Sequence, residues 1–177
     1  FSAKMTMSVA QSLYEKGFIT YMRTDSVNLS SEALSAAANW IKTALGDEYA
    51  TDAPRRFKTK SKSAQEAHEA IRPTDPSKTP ESLNLEDKDG KLYDLIWRRF
   101  IASQLPQAVF EANKVIIEAV AEKNKYELSA NGSRLKKEGY LKIWPTSFEE
   151  TVLPEIKKGS APRLIKTAHE RHETEPP

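Results

Sequence analysis

The 177 residues suffice for one medium domain or two small ones, and 38% hydrophobic against 29% charged residues supports a packed but modest core. With 27 Lys and Arg against 25 Asp and Glu the net charge is +2, so any case for a polyanion partner rests on local clusters rather than bulk charge. The absence of cysteine excludes disulfides and thiolate metal sites and fits a reducing compartment, and no apolar run approaches the ~20 residues of a membrane helix.

The first element reads as a helix. Ser2 is its cap, Met5, Val9, Ala10 and Leu13 follow helical spacing, and Gly17 supplies a left-handed stop. Residues 18–23 then read as a buried strand ending on a charge, followed by the polar run Thr24, Asp25, Ser26, Asn28 and Ser30. Ser30 caps a second helix, with Leu29 and Leu34 as a staple across its start. Leu34, Ala37, Ala38, Ile41 and Leu45 form its buried face, and Gly46 ends it.

Residues 47–63 have loop composition, and Arg55, Arg56, Lys58, Lys60 and Lys62 bring five positive charges with no acid between them. Ser63 and Glu66 match a capping box opening a short helix, "AQEAHEAI", that Pro73 terminates. A turn-rich "RPTDPSKTP" precedes a strong helix at about Asp87–Gln104. Its apolar residues Leu92, Tyr93, Leu95, Ile96, Trp97, Phe100 and Ile101 predict a central, buried position. After Pro106 the period changes. "VFEANKVIIEAVAE", "KYELSANGS", "YLKIW" and "APRLIKTAHER" read as strands, "NGS" at 131–133 as a hairpin turn, and "KKEGY" and "KKGSAP" as further turns. The fold class is therefore α+β, with a helical module over 1–106 and a β-rich module over 107–177. A start at Phe1 and an end at "ETEPP" read as an internal piece of a longer chain, with no signal peptide.

Tyr21 and Arg23 are the first candidates for chemistry. In an extended segment they point to one side, so a phenol and a guanidinium converge. A phenol titrating near ~10 is a poor nucleophile at neutral pH, and a fixed cation favours its charged form. The same cation can stabilise the oxygens of a phosphodiester under attack. On spacing alone a half-buried tyrosine beside a surface arginine remains the favoured reading, because Tyr-x-Arg is common. On the expected helix His68 and Arg72 share a face beside the basic loop, which suits a phosphate; a solvated surface histidine fits the same residues. The run 55–62 could track a nucleic-acid backbone or be a solvated loop. Trp97 and Phe100 fit core packing better than base stacking. "DKDG" at 87–90 fits helix-dipole stabilisation better than metal binding, and His169 and His172 have no cysteine partner for a metal site.

Together, "GFITYMRTDSVNLS", "SAQEAHEAIRPTD" and "LYDLIWRRFIASQ", in that order and spacing, resemble the type IA DNA topoisomerases. Met22 in "YMRTDS" favours the bacterial topoisomerase I branch. The resemblance implies that Tyr21 attacks one DNA strand to form a 5′-phosphotyrosine bond and release a 3′-hydroxyl. It implies that Arg23 positions the scissile phosphate, that His68 lies near the strand's phosphates, and that Asp25 helps hold the site. Arg72 and Asp25 are further DNA-binding candidates, while Thr20, Thr24 and Ser26 receive no catalytic step. It also implies a winged-helix-like tyrosine domain followed by part of a β-rich hinge arch, relaxation of underwound DNA without ATP, and a monomer in the cytoplasm, associated with the nucleoid.

The expected partners are single-stranded or underwound DNA and the remaining domains of the same chain, with no membrane. The family's Asp-x-Asp domain, which binds Mg²⁺, and its glycine- and arginine-bearing block are missing from these residues. The piece alone is therefore expected to be inactive. The rival readings are a non-catalytic winged-helix-type DNA-binding module and a scaffold presenting a β-edge to a partner.

Overall fold

The structure, a computed structural model, describes residues 1–57, 68–163, 165, 166, 168, 171, 173 and 174. Helices α1 (Ala3–Glu15), α2 (Ser31–Leu45), α3 (Pro80–Leu83) and α4 (Asp87–Gln104) precede a two-stranded sheet of β1 (Val109–Ala121) and β2 (Asn124–Lys137). Short 3₁₀ turns occupy Asp47–Tyr49 and Gly139–Lys142. Among the described residues no helix is long and apolar enough to cross a membrane.

The helix boundaries follow from local chemistry. Ser2 Oγ accepts from the Met5 N–H, and Ser30 Oγ from the Ala33 N–H, so each cap satisfies an otherwise orphaned donor. At the end of α1 the Gly17 N–H donates to the Tyr14 carbonyl and the Phe18 N–H to that of Leu13, with Gly17 at φ +75°. This paired closure requires a left-handed residue, which glycine supplies without a Cβ penalty. α3 was not foreseen; Thr79 caps it and Pro80 opens it.

α4 is the element the other helices share, since α1, α2 and α3 all touch it. Leu13, Ile19, Ala37, Ile41, Tyr93, Trp97 and Ile101 are among the buried residues of one core. Trp40 and Trp97 meet edge to face at 4.8 Å, and the Trp97 Nε1–H donates to the Pro76 carbonyl at 2.9 Å, so this indole is a core residue. Two expected core positions lie outside: Ala38 and Leu95 are exposed, so α4 is buried over part of its circumference only.

The chain divides into two compact units, residues 1–111 with 134–150, and residues 112–133 with 151–177. In the first, the Tyr140 N–H donates to the Pro106 carbonyl, which brings the Gly139–Lys142 turn onto the end of α4. "YLKIW" is thus a 3₁₀ turn and not a strand. In the second, "NGS" lies inside β2 rather than at a turn. A Cβ on Gly132 would stand 2.8 Å from the Thr151 carbonyl oxygen and 2.9 Å from Leu153 Cγ, so glycine serves close packing there. The reversal occurs at Glu122–Lys123, with Glu122 at φ +55°. The described residues of 161–171 form no strand. Lys58, Lys60, Lys62, the Ser63–Glu66 box, His169 and His172 lie outside the described residues.

Candidate active site

Tyr21 sits on a loop that two kinds of contact restrain. Residues 18–23 form no strand; their pairing is reduced to one antiparallel bridge between Ile19 and Pro73. Around it the Thr20 N–H donates to the Arg72 carbonyl at 2.9 Å and the Thr74 N–H to the Phe18 carbonyl at 3.0 Å. The Thr20 hydroxyl donates to the Ala70 carbonyl at 2.7 Å and accepts from the Arg72 N–H at 2.9 Å. The residue before the candidate nucleophile is therefore fastened through both backbone and side chain.

The second restraint lies beyond Arg23. Thr24 Oγ1 accepts from the Ser26 N–H and Ser26 Oγ from the Asn28 N–H, two hydroxyl-backbone turns that shape residues 24–28. The Asn28 carbonyl accepts from the Ala70 N–H. Glu69 then joins both ends: Oε1 accepts from the Ser30 N–H at 2.6 Å and Oε2 from Arg72 Nη2 at 2.7 Å. Partial burial pushes the Glu69 carboxyl up, but the bonds from Ser30 and Arg72 outweigh it and hold the group below its usual range.

This lacing explains a further difference from the sequence reading. His68–Ile71 is not helical; its backbone groups pair with Asn28 and Thr20 across the loops instead. His68 and Arg72 therefore share no helix face. The Arg72 side chain is 14% exposed, bound to Glu69 and, through Nη1, to the Pro73 carbonyl; its Nε is buried with no partner among the described residues. The Arg72 side chain braces its own loop, while its backbone pairs with Thr20 and Glu69 reaches Ser30 across the gap.

His68 is brought to Tyr21 by another route. The Tyr21 ring meets the His68 ring at 6.4 Å with an interplanar angle of 87°, and the Tyr14 ring of α1 at 5.3 Å and 69°. Tyr21 is 43% exposed and Met22 7%, while Arg23 and Asp25 are exposed, so the buried methionine separates two solvent-facing side chains. Arg23 and Asp25 make no hydrogen bond or ion pair among the described residues. The arrangement offers an accessible phenol, an imidazole beside it and a guanidinium two residues away, on a backbone that is held. An anionic electrophile such as a phosphodiester suits that set.

Sequence reasoning missed Tyr14 and Glu69. Tyr14 carries no signal beyond its place at the end of α1. Glu69 stands three residues before Arg72, a spacing that hints at an ion pair but is equally ordinary on a surface.

The chain matches the model of the DNA topoisomerase family over residues 1–177. It is 42% identical over 186 residues to DNA topoisomerase 1 of Synechococcus elongatus, covering 99% of this chain and 21% of that protein. It is 42% identical over 181 residues to the Pasteurella multocida DNA topoisomerase 1, covering 100% of this chain and 20% of that one. Among solved structures, full-length topoisomerase I from Thermotoga maritima aligns with a TM-score of 0.70 and 36% identity, over 87% of this chain and 25% of that chain. The chain thus spans about a fifth of the length of these curated relatives. Its match to the family model over all its residues makes it a member of the DNA topoisomerase family.

Proposed function

We propose that this chain supplies the strand-cleaving nucleophile of a type IA DNA topoisomerase. The observation that carries the reading is Tyr21: exposed, flanked by His68 and followed by Arg23, on a backbone fastened by Thr20. The Tyr21 oxygen attacks the phosphorus of a single strand, a 5′-phosphotyrosine bond forms, and the bond to the 3′-oxygen breaks. The phenolic proton is lost and the departing oxygen gains one, leaving a 3′-hydroxyl. Arg23 neutralises charge building on the non-bridging oxygens. His68 contributes a polar ring at the strand's phosphates; Asp25, which the resemblance assigns to holding the site, makes no bond among the described residues that would do so.

The phosphotyrosine bond retains the energy of the bond it replaced, so attack by the 3′-hydroxyl reseals the strand without ATP. Passage of another strand between the two steps relaxes underwound DNA. In this reading residues 1–106 are the tyrosine domain and 107–177 part of a hinge arch that opens the gate. The protein works as a monomer on nucleoid DNA in the cytoplasm. In the same reading Mg²⁺ is held by acidic residues outside this chain. The chain alone should not relax DNA.

In a protein carrying this chain, Tyr21→Phe should abolish both relaxation of negatively supercoiled plasmid and the covalent DNA adduct. Arg23→Ala should slow cleavage while leaving strand binding in place. Relaxation at the unsubstituted rate by the Tyr21→Phe protein would refute the reading.

A further inference from the structure

The first residues of the basic stretch that begins at Arg55, as far as they are described, line a cleft beside the last turns of α4. The cleft, about 460 Å³, is bounded by Arg55, Phe57, Arg99, Tyr140, Trp144 and Thr146. That volume falls within the ~300–1,000 Å³ of sites that take small ligands, room for a nucleotide unit but not a duplex. Both arginines stand over aromatic rings, Arg99 at 5.1 Å from the Trp144 centroid and Arg55 at 5.9 Å from that of Phe57.

The Arg55 side of the cleft is built. Gln104 is 4% exposed and clamps the Arg55 backbone: Oε1 accepts from the Arg55 N–H and Nε2 donates to the Arg55 carbonyl, each at 3.1 Å, while Nε2 also donates to Ser103 Oγ at 3.2 Å. Arg55 Nη1 donates to the Leu105 carbonyl at 3.0 Å, which fixes the plane of the guanidinium while its other donors have no partner among the described residues. A buried amide thus fixes the Arg55 backbone and the Leu105 carbonyl restrains its guanidinium before any ligand arrives. Arg98 is paired with Asp94, whereas Arg99 has no carboxylate partner among the described residues. A second hollow of about 300 Å³ shares Arg55 and Phe57 with the cleft and is otherwise lined by Arg56 and by Val27, Asn28 and Leu29 of the loop that begins at Tyr21. The two hollows therefore share the Arg55 and Phe57 side of their walls.

We propose that this cleft is a second contact for single-stranded DNA, separate from Tyr21. Arg99 and Arg55 take backbone phosphates, and the Trp144 and Phe57 rings with the guanidiniums stacked on them receive bases. Fixed cations interleaved with aromatic faces are the chemistry of sequence-tolerant strand binding. A duplex keeps its base faces stacked and gives the rings nothing to hold, and an acidic peptide would use the cations alone.

The test is binding of a labelled oligothymidylate to the full chain by anisotropy, with tryptophan emission read in parallel. Trp144→Ala should weaken binding by roughly 5- to 150-fold, the range for losing one stacked base. Arg99→Ala should weaken it and lower the slope of log affinity on log salt by about 0.7, one phosphate's share. Arg98→Ala, whose partner is Asp94, should stay within about 2-fold. Should Trp144→Ala fail to fold, the exposed Arg99 decides alone. Unchanged affinity on losing Arg99, or equal binding of a duplex or of polyglutamate, overturns the proposal. Scoring Arg99→Ala for the Tyr21 adduct, in a protein carrying this chain and at saturating strand, separates this site from the cleavage reading. An adduct formed at the unsubstituted rate supports a separate contact, and loss of the adduct would place Arg99 in the cleavage site and remove the cleft as a second contact.

Discussion

The tyrosine loops and the β1–β2 hairpin are both built from irregular or extended chain, but they are stabilised in opposite ways. The loops at 17–30 and 68–74 lie against a helical core in which Leu13, Ile19 and Ile101 are at most 1% exposed, and they are laced by bonds through Thr20, Glu69 and Arg72. The hairpin leaves Ile116, Val120, Tyr126 and Leu128 exposed, Val120 at 69%. A two-stranded sheet is marginal by itself in water. Rigidity in this chain therefore comes from what an element packs on and not from its regularity. The Tyr21 backbone is irregular and well held, whereas the strands are regular and little covered.

That contrast is open to measurement. Leu13→Ala should have the largest effect, a loss of about 2–5 kcal/mol in urea unfolding, since it empties space between α1 and α4. Glu69→Gln should come next, at about 1–3 kcal/mol, because the Ser30 N–H and the Arg72 guanidinium both lose a charged acceptor. Its pH dependence has a fixed sign. The folded carboxyl lies below the ordinary value of 4.5, so its contribution is present above that pH and lost as pH falls through the folded value. The stability gap between the native chain and Glu69→Gln should accordingly close in acid. Gly17→Ala should cost about 1 kcal/mol: there is space for the methyl group, but φ +75° strains any residue with a Cβ. The smallest effect should be Ile116→Ala in β1, within about 0.5 kcal/mol. A hairpin substitution as costly as Leu13→Ala would remove the distinction.

The same contrast explains what could be read in the sequence. The caps at Ser2 and Ser30, the stop at Gly17 and the Asp87–Gln104 span of α4 are decided within a few residues, and the pattern located them. Long-range contacts decided the rest. Gly132 follows an asparagine, a pairing that usually marks a turn, yet it lies in β2 because residues 151–153 pack on it. The actual turn at Glu122–Lys123 carries no glycine or asparagine to announce it. His68–Ile71 has helical composition, but the backbone pairs with Asn28 and Thr20, which no local signal records.

Tyr21 and Arg23 stood out through the family's ordered blocks rather than through their own spacing. Their placement around buried Met22, and the approach of His68 and Tyr14, became visible only in three dimensions.

The central claim is that the Tyr21 oxygen forms the bond to DNA. The direct measurement is mass spectrometry of the covalent complex of a protein carrying this chain with a single-stranded oligonucleotide, digested with nuclease and trypsin. Cleavage after Lys16 and Arg23 releases residues 17–23, which hold Tyr21 as their one tyrosine. The account predicts that this peptide bears the nucleotide mass on Tyr21, joined to the 5′ end of the cut strand. A modification mapped to any other peptide, or a bond to the 3′ end, would contradict it.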